Sequence, residues 1–167
     1  SSQPTAINGI ALKYTNQSFP NSIIELLTVY NYDFYPSDAS VITSPILGQN
    51  LLTDDAENNN ISTLGMPTAS YVKNIGEDRW TKNYMWYDTK GRSVVNHRQN
   101  HLGGYTKNET KLDFAGFPLE SITKHKRLST DASEVIISER FVYDSSYRLK
   151  NHFHKVGNQN EVLLSNL

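Results

Sequence analysis

The residues whose types invite chemistry are five histidines, an acidic loop and a tryptophan–tyrosine stretch. His152 and His154 lie two apart, which puts both on one face of a strand. With a carboxylate such as Glu134 or Glu139 they could ligate zinc or iron, but no spacing demands that third ligand. His97 and His101 lie four apart. The plainer reading is cross-strand packing and surface polarity, so neither a metal nor a cofactor is expected. A protonated histidine could instead make an assembly sensitive to pH. Asp54, Asp55 and Glu57 invite a calcium reading, yet they lack the alternating aspartates and distal glutamate of a calcium loop, and a solvated loop is expected. There is no cysteine and no Gly-x-Ser-x-Gly frame, so nucleophilic catalysis has no support and no catalytic residue is expected.

Trp80, Lys82, Tyr84 and Trp86 occupy alternate positions and share one strand face, with Tyr87 on the other. Aromatics in a row suit a core face, which a sheet of this composition needs. Their other use is an exposed glycan shelf, which would make the chain a carbohydrate-binding β-sandwich.

The elements that must position these residues are hairpins. Trp80 to His97 reads as strand, tight turn, strand. Asp88 opens the turn, because its carboxylate can accept from backbone N–H groups just ahead of it. Gly91 stands where the chain leaves the turn, and glycine tolerates positive φ. Arg92 and a β-branched pair follow. The unit recurs at Asp113 with Gly116, where Leu112 replaces Tyr87. It recurs again at Tyr143-Asp144 with Arg148, where Tyr147 replaces the glycine. These aspartates lie 25 and 31 residues apart, intervals of a repeat built one supersecondary unit at a time. Arg92 and Arg148 can lie along neighbouring tyrosine rings or bind carbonyls of the adjacent hairpin.

Tyr87-Asp88-x-x-Gly91-Arg92 followed by a β-branched run resembles the Tyr-Asp repeat of RHS proteins. Around it, Gly65-Met66-Pro67-Thr68, Arg79-Trp80-Thr81-Lys82, Asn100-His101-Leu102-Gly103-Gly104-Tyr105 and Leu112-Asp113-Phe114-Ala115-Gly116 are similar to RHS/YD-repeat proteins of Bacteroidetes type. The resemblance covers about Pro67 to Arg127 and is much fainter over residues 1–66. It implies a secreted or cell-surface bacterial protein whose hairpins wind into a hollow shell or rod, often around a C-terminal toxin or effector. It carries over no catalytic residue, since such toxins keep their chemistry in a domain beyond the shell.

Composition agrees with a sheet that has one wet face. The 167 residues are 37% hydrophobic and 11% aromatic, with ten tyrosines and a mean hydropathy of −0.55. A net charge of −1 predicts neither nucleic-acid nor membrane-surface binding. No apolar run approaches the ~20 residues of a membrane helix. The start does not look like a signal peptide, so a removed signal or an internal fragment is expected.

Along the chain, Ile10–Tyr14 reads as a short strand and Ser22–Tyr35 as a longer one. Tyr32-Asp33 echoes the repeat, but Pro36 stands in the place of glycine, which suggests a strand end without a full hairpin. Residues 36–66 read as a long loop with room for short pairing segments. Strands are expected at 68–73, 105–112, 119–127, 134–143 and 148–156, and one beginning at Glu161 with no later partner. The expectation is an all-β fold of successive antiparallel hairpins forming a curved continuous sheet, part of a shell or rod. Residues 1–66 form an N-terminal β/loop segment and 67–167 the hairpin array, with turns near 88–91, 113–116 and 144–147. The expected partners are neighbouring repeats of a longer parent chain, or other copies of the same chain, and an enclosed effector.

Overall fold

The structure, a computed structural model, describes residues 5–7, 10–12, 25–54 and 62–166. Among them there is no helix. Strands β1 (Thr5–Ile7) and β2 (Ile10–Leu12) pair with each other. The remaining strands are β3 (Thr28–Tyr32), β4 (Pro67–Lys73), β5 (Trp80–Tyr87), β6 (Ser93–Gln99), β7 (Gly103–Leu112), β8 (Pro118–Leu128), β9 (Val135–Tyr143), β10 (Leu149–Val156) and β11 (Val162–Asn166). They form a single nine-stranded open sheet whose order in space follows the order in sequence, antiparallel throughout. Each strand is rich in β-branched or aromatic residues and is separated from the next by a short polar turn, so local pairing is the cheapest topology. Within the nine-stranded sheet the one long connection is between β3 and β4.

Several expectations shift in detail. The strand expected over Ile10–Tyr14 is Ile10–Leu12, with Lys13 and Tyr14 outside the described residues. The apolar run Ser22–Tyr35 contributes Thr28–Tyr32, and Ser22, Ile23 and Ile24 lie outside the described residues. The strand begun at Glu161 is β11, and it pairs backwards onto β10. Residues 28–32 join the same sheet as the hairpin array.

Tyr32-Asp33 needs a larger correction: it does open a full hairpin. The Asp33 N–H donates to the Met66 carbonyl at 3.1 Å, and the Gly65 N–H donates to the Asp33 carboxylate at 2.6 Å. At the later turn the Asp113 N–H donates to the Phe117 carbonyl at 2.9 Å, and the Gly116 N–H to the Asp113 carboxylate at 2.7 Å. Gly65-Met66-Pro67 thus corresponds to Gly116-Phe117-Pro118. Residues 34–64 stand where the later turn has only Phe114 and Ala115. The glycine that Pro36 displaced is present, but beyond an insertion.

That insertion builds the core. It folds back over the sheet with three isolated bridges, Ile46 to Gln49, Leu51 to Asp88 and Thr53 to Ser62. Tyr35 stacks on Trp86 with centroids 5.5 Å apart, and Ala39, Ile42, Ile46 and Leu51 pack against Tyr84, Trp86 and their neighbours. Ile10 and Leu12 complete the layer. Asp38 accepts from the Tyr71 hydroxyl at 2.7 Å and from Lys82, which ties the insertion to the strands beneath. Beyond β7 the picture changes. Among the described residues of β8 to β11, Ser121 alone is buried. A sheet normally hides one face against a second layer, and among the described residues this part of the sheet has none.

Candidate functional site

A meander brings every second turn to the same end of the sheet. One rim therefore carries the turns at Asp33, Asp88, Asp113 and Asp144, between β3 and β4, β5 and β6, β7 and β8, and β9 and β10. The last three are built alike. Asp88 N–H donates to the Arg92 carbonyl at 2.9 Å, and Gly91 N–H to the Asp88 carbonyl at 2.9 Å. Asp144 repeats this with Arg148 and Tyr147, at 2.9 and 3.0 Å. Asp113 does so with Phe117 and Gly116. One carboxylate oxygen of each aspartate accepts from two N–H groups: Lys90 and Arg92 for Asp88, Gly116 (shared with the Asp113 carbonyl) and Phe117 for Asp113, Ser146 and Arg148 for Asp144. All four hairpins, that of Asp33 included, shift register by one residue at the turn; in the last three this is the bulge that a three-residue hairpin loop carries.

The loop needs positive φ at its last residue. Gly91 supplies 75° and Gly116 99°, and Tyr147 takes 59° against its preference. Tyr147 stacks on Phe117 at 5.0 Å, which offsets part of that cost.

Arg92 and Arg148 close their own turns. Arg92 Nε and Nη2 hold the second carboxylate oxygen of Asp88 at 2.8 and 2.6 Å. Arg148 does the same to Asp144 at 2.8 and 2.8 Å. Burial alone would raise Asp88, but the Arg92 side chain and the N–H groups of Arg92 and Lys90 outweigh it and hold the carboxyl below its usual range. Asp144 is lowered chiefly by the Arg148 N–H; desolvation opposes this, and the Arg148 side chain and the Ser146 N–H help to outweigh it. The tyrosines before two of these aspartates have a shared task. Tyr87 donates its hydroxyl to the Pro67 carbonyl at 2.6 Å, and Tyr143 to the Pro118 carbonyl at 3.0 Å. Each proline opens the strand that precedes its tyrosine's own. Leu112 has no hydroxyl for the equivalent bond.

The turns are also fastened to one another. Leu52 N–H donates to the Tyr87 carbonyl at 2.8 Å, so the insertion of the first hairpin grips the second. Arg92 Nη1 donates to the Asp113 carbonyl at 2.7 Å, and Lys90 lies 3.5 Å from the Phe114 ring centroid. Phe117 meets Tyr143 at 5.4 Å as well as Tyr147. Of the two placements open to Arg92, carbonyl binding on the adjacent hairpin is the one observed.

On the opposite rim, the turn that the double glycine Gly103-Gly104 signals is capped by Asn100, a cap the sequence reading did not single out. Asn100 accepts from Leu102 and Gly104 N–H through its side chain, both at 2.9 Å, and its own N–H donates to the Gly104 carbonyl. It is the same device with an amide for a carboxylate. Asn100-x-x-Gly103 has the offset of Asp88-x-x-Gly91, and that was the available signal. Gly104 is there for a second reason: a Cβ on it would lie 2.2 Å from the Arg127 carbonyl oxygen.

The other candidates separate into three cases. His152 and His154 share a face with Glu139, and His152 Nε2 lies 3.0 Å from the Glu139 carboxylate, but His152 is stacked on Phe141 at 4.7 Å. Glu134 is engaged elsewhere, accepting from the Tyr105 hydroxyl at 3.0 Å. Among the described residues no group of three or more such side chains is arranged to hold a metal ion. His97 is buried in β6 between Tyr84 and Tyr105, apart from His101 in the turn. Asp54 accepts from the Tyr35 N–H at 3.0 Å, and Asp55 and Glu57 lie outside the described residues.

The aromatic shelf is the third case, and two of its three rings are buried. Tyr84 is 0% exposed and Trp86 5%, both beneath the insertion, while Trp80 packs half-buried against the same cluster. A shallow cleft of about 320 Å³ remains there, lined by Tyr35, Ile42, Leu51, Asp54 and Trp86, and its one carboxylate is already taken by the Tyr35 N–H.

Comparison with known proteins finds no family model, no curated protein and no solved structure that matches this chain. Fold and site define a class by themselves: among the described residues, an all-β arrangement with a nine-stranded open antiparallel sheet, its alternate turns capped by aspartate and aligned along one rim.

Proposed function

We propose that this chain is a structural module, a run of Tyr-Asp hairpins forming part of the wall of an RHS-type shell or rod on a secreted or cell-surface bacterial protein. The observation that carries the reading is the rim, where like-built aspartate turns are tied in series by Leu52, Arg92 and Phe117. Such ties have value in an array, where each hairpin must dock on the last. The uncovered strands β8 to β11 support it too, since a sheet with two wet faces needs neighbours to persist. Those neighbours are further repeats of a longer chain or other copies, and an enclosed effector is the cargo that the resemblance implies.

The test is electron microscopy of the secreted protein that carries this chain, with an antibody fragment raised against the 88–92 turn. Label along the wall of a shell or rod is the expected result. Label on a compact globule, or binding of the isolated chain on a glycan array that disappears with Trp86→Ala in a variant that still folds, overturns the reading.

A further inference from the structure

Arg148 repeats the clamp of Arg92 and stops one bond short. Nε and Nη2 of both arginines hold the aspartate of their own turn. Arg92 Nη1 then reaches the Asp113 carbonyl of the following turn. Arg148 Nη1 meets no acceptor among the described residues, and the Arg148 side chain is 81% exposed where that of Arg92 is 26%. An open notch lined by Asp144, Arg148, Leu149 and Lys150 lies beside it.

The sheet register says what fits the notch. Val95 and Asn151 each stand three residues past the clamping arginine. Val95 pairs with Glu109, and Asn151 pairs with Asn166. Asn166 of β11 therefore occupies the place that Glu109 has in β7. Asp113, whose carbonyl Arg92 takes, lies four residues beyond Glu109. β11 runs toward the aspartate rim, is outermost in the sheet, and leaves Val162, Leu163 and Leu164 about half exposed. Open edges with exposed apolar residues pair readily.

We propose that the notch at Arg148 is the seat of a further aspartate-turn hairpin continuing from β11. Its turn aspartate falls at the fourth position after Asn166, its carbonyl accepts from Arg148 Nη1, and its second strand pairs with the outer edge of β11. This rests on the module reading above and adds to it a partner, a register and the residue that recognises it.

The probe is a copy of residues 110–128 fused directly after Asn166, which places the copied aspartate at that fourth position. A second fusion carries one extra glycine at the junction and shifts the register. Amide hydrogen exchange over Val162–Asn166 and urea unfolding are measured for both fusions and for the unfused chain, with Arg148 and with Arg148→Ala. The in-register fusion should slow exchange across β11 by about tenfold or more. Arg148→Ala should cost it about tenfold more in the unfolding equilibrium than it costs the unfused chain, the weight of one charge-assisted hydrogen bond. Equal costs, or equal protection in the shifted fusion, overturn the seat and leave the module reading standing. No protection in either fusion overturns both. Protection of β11 in the unfused chain that grows with concentration and ignores Arg148 means a second copy covers the edge, and overturns the seat.

Discussion

Arg92 Nη1 lies 2.7 Å from the main-chain oxygen of Asp113, while Nε and Nη2 of the same guanidinium hold Asp88. One side chain closes its own turn and fastens the next. Arg92→Ala should destabilise the chain by ~2 kcal/mol in urea unfolding, because the buried Asp88 carboxylate and a carbonyl both lose a charged donor. Arg92→Lys should recover less than half, since an ammonium cannot make both contacts in one plane. Full recovery by lysine would show that charge alone is at work.

Gly91 sits at φ 75° with Met66 Cε 2.9 Å from where a Cβ would be. The methionine tip can move, so backbone strain is the larger cost. Gly91→Val should lower stability by about 1–2 kcal/mol, and an unchanged melting temperature would contradict the turn geometry.

The depressed Asp88 and Asp144 carboxyls make stability depend on acid. Their contribution is complete above the unfolded aspartate value of about 4 and is lost as pH falls through the lower folded values. Asp88→Asn keeps most of the turn's hydrogen bonds but removes the proton linkage. It should flatten the acid limb of a stability–pH curve, and a limb of undiminished slope would refute the assignment.

His97 titrates in a different range. Burial, with Lys107 adding to it, holds the imidazole below its ordinary value, and neither ring nitrogen has a partner among the described residues. The unfolded chain takes up this proton near pH 6.5 and the folded chain does not. Stability should therefore fall as pH drops from about 6.5 to the folded value, then level off. His97→Phe, which suits a site between Tyr84 and Tyr105, should remove that mild-acid slope. Persistence of the slope would place its origin in another group.

Replacing residues 34–64 by Phe-Ala, the two residues found between Asp113 and Gly116, separates turn from cover. The β3–β4 hairpin should still close on Asp33 and Gly65, while Tyr84 and Trp86 lose the layer above them. Tryptophan emission should shift to the red, ANS should bind, and stability should fall by on the order of 5 kcal/mol, the burial of two or three large side chains. An unshifted emission would mean that the insertion does not shield Trp86.

The sequence by itself determined the strands and the three later turns, because both are local. Alternating aromatic and β-branched residues select the pleat, and an aspartate selects the turn, with its own glycine three residues on at Asp88 and Asp113 and Tyr147 in that place after Asp144. It also held the device at Asn100, concealed only by the change from carboxylate to amide. Three things were decided by tertiary structure alone. The partnership of Asp33 with Gly65 spans an insertion whose length no local pattern measures. The fate of Trp86 turned on whether Tyr35 folded back over it, a contact between residues far apart in the chain. The reach of Arg92 to Asp113 depended on the meander bringing two turns to one rim, since side-chain type sets what a guanidinium can bind and only packing sets what lies within its length.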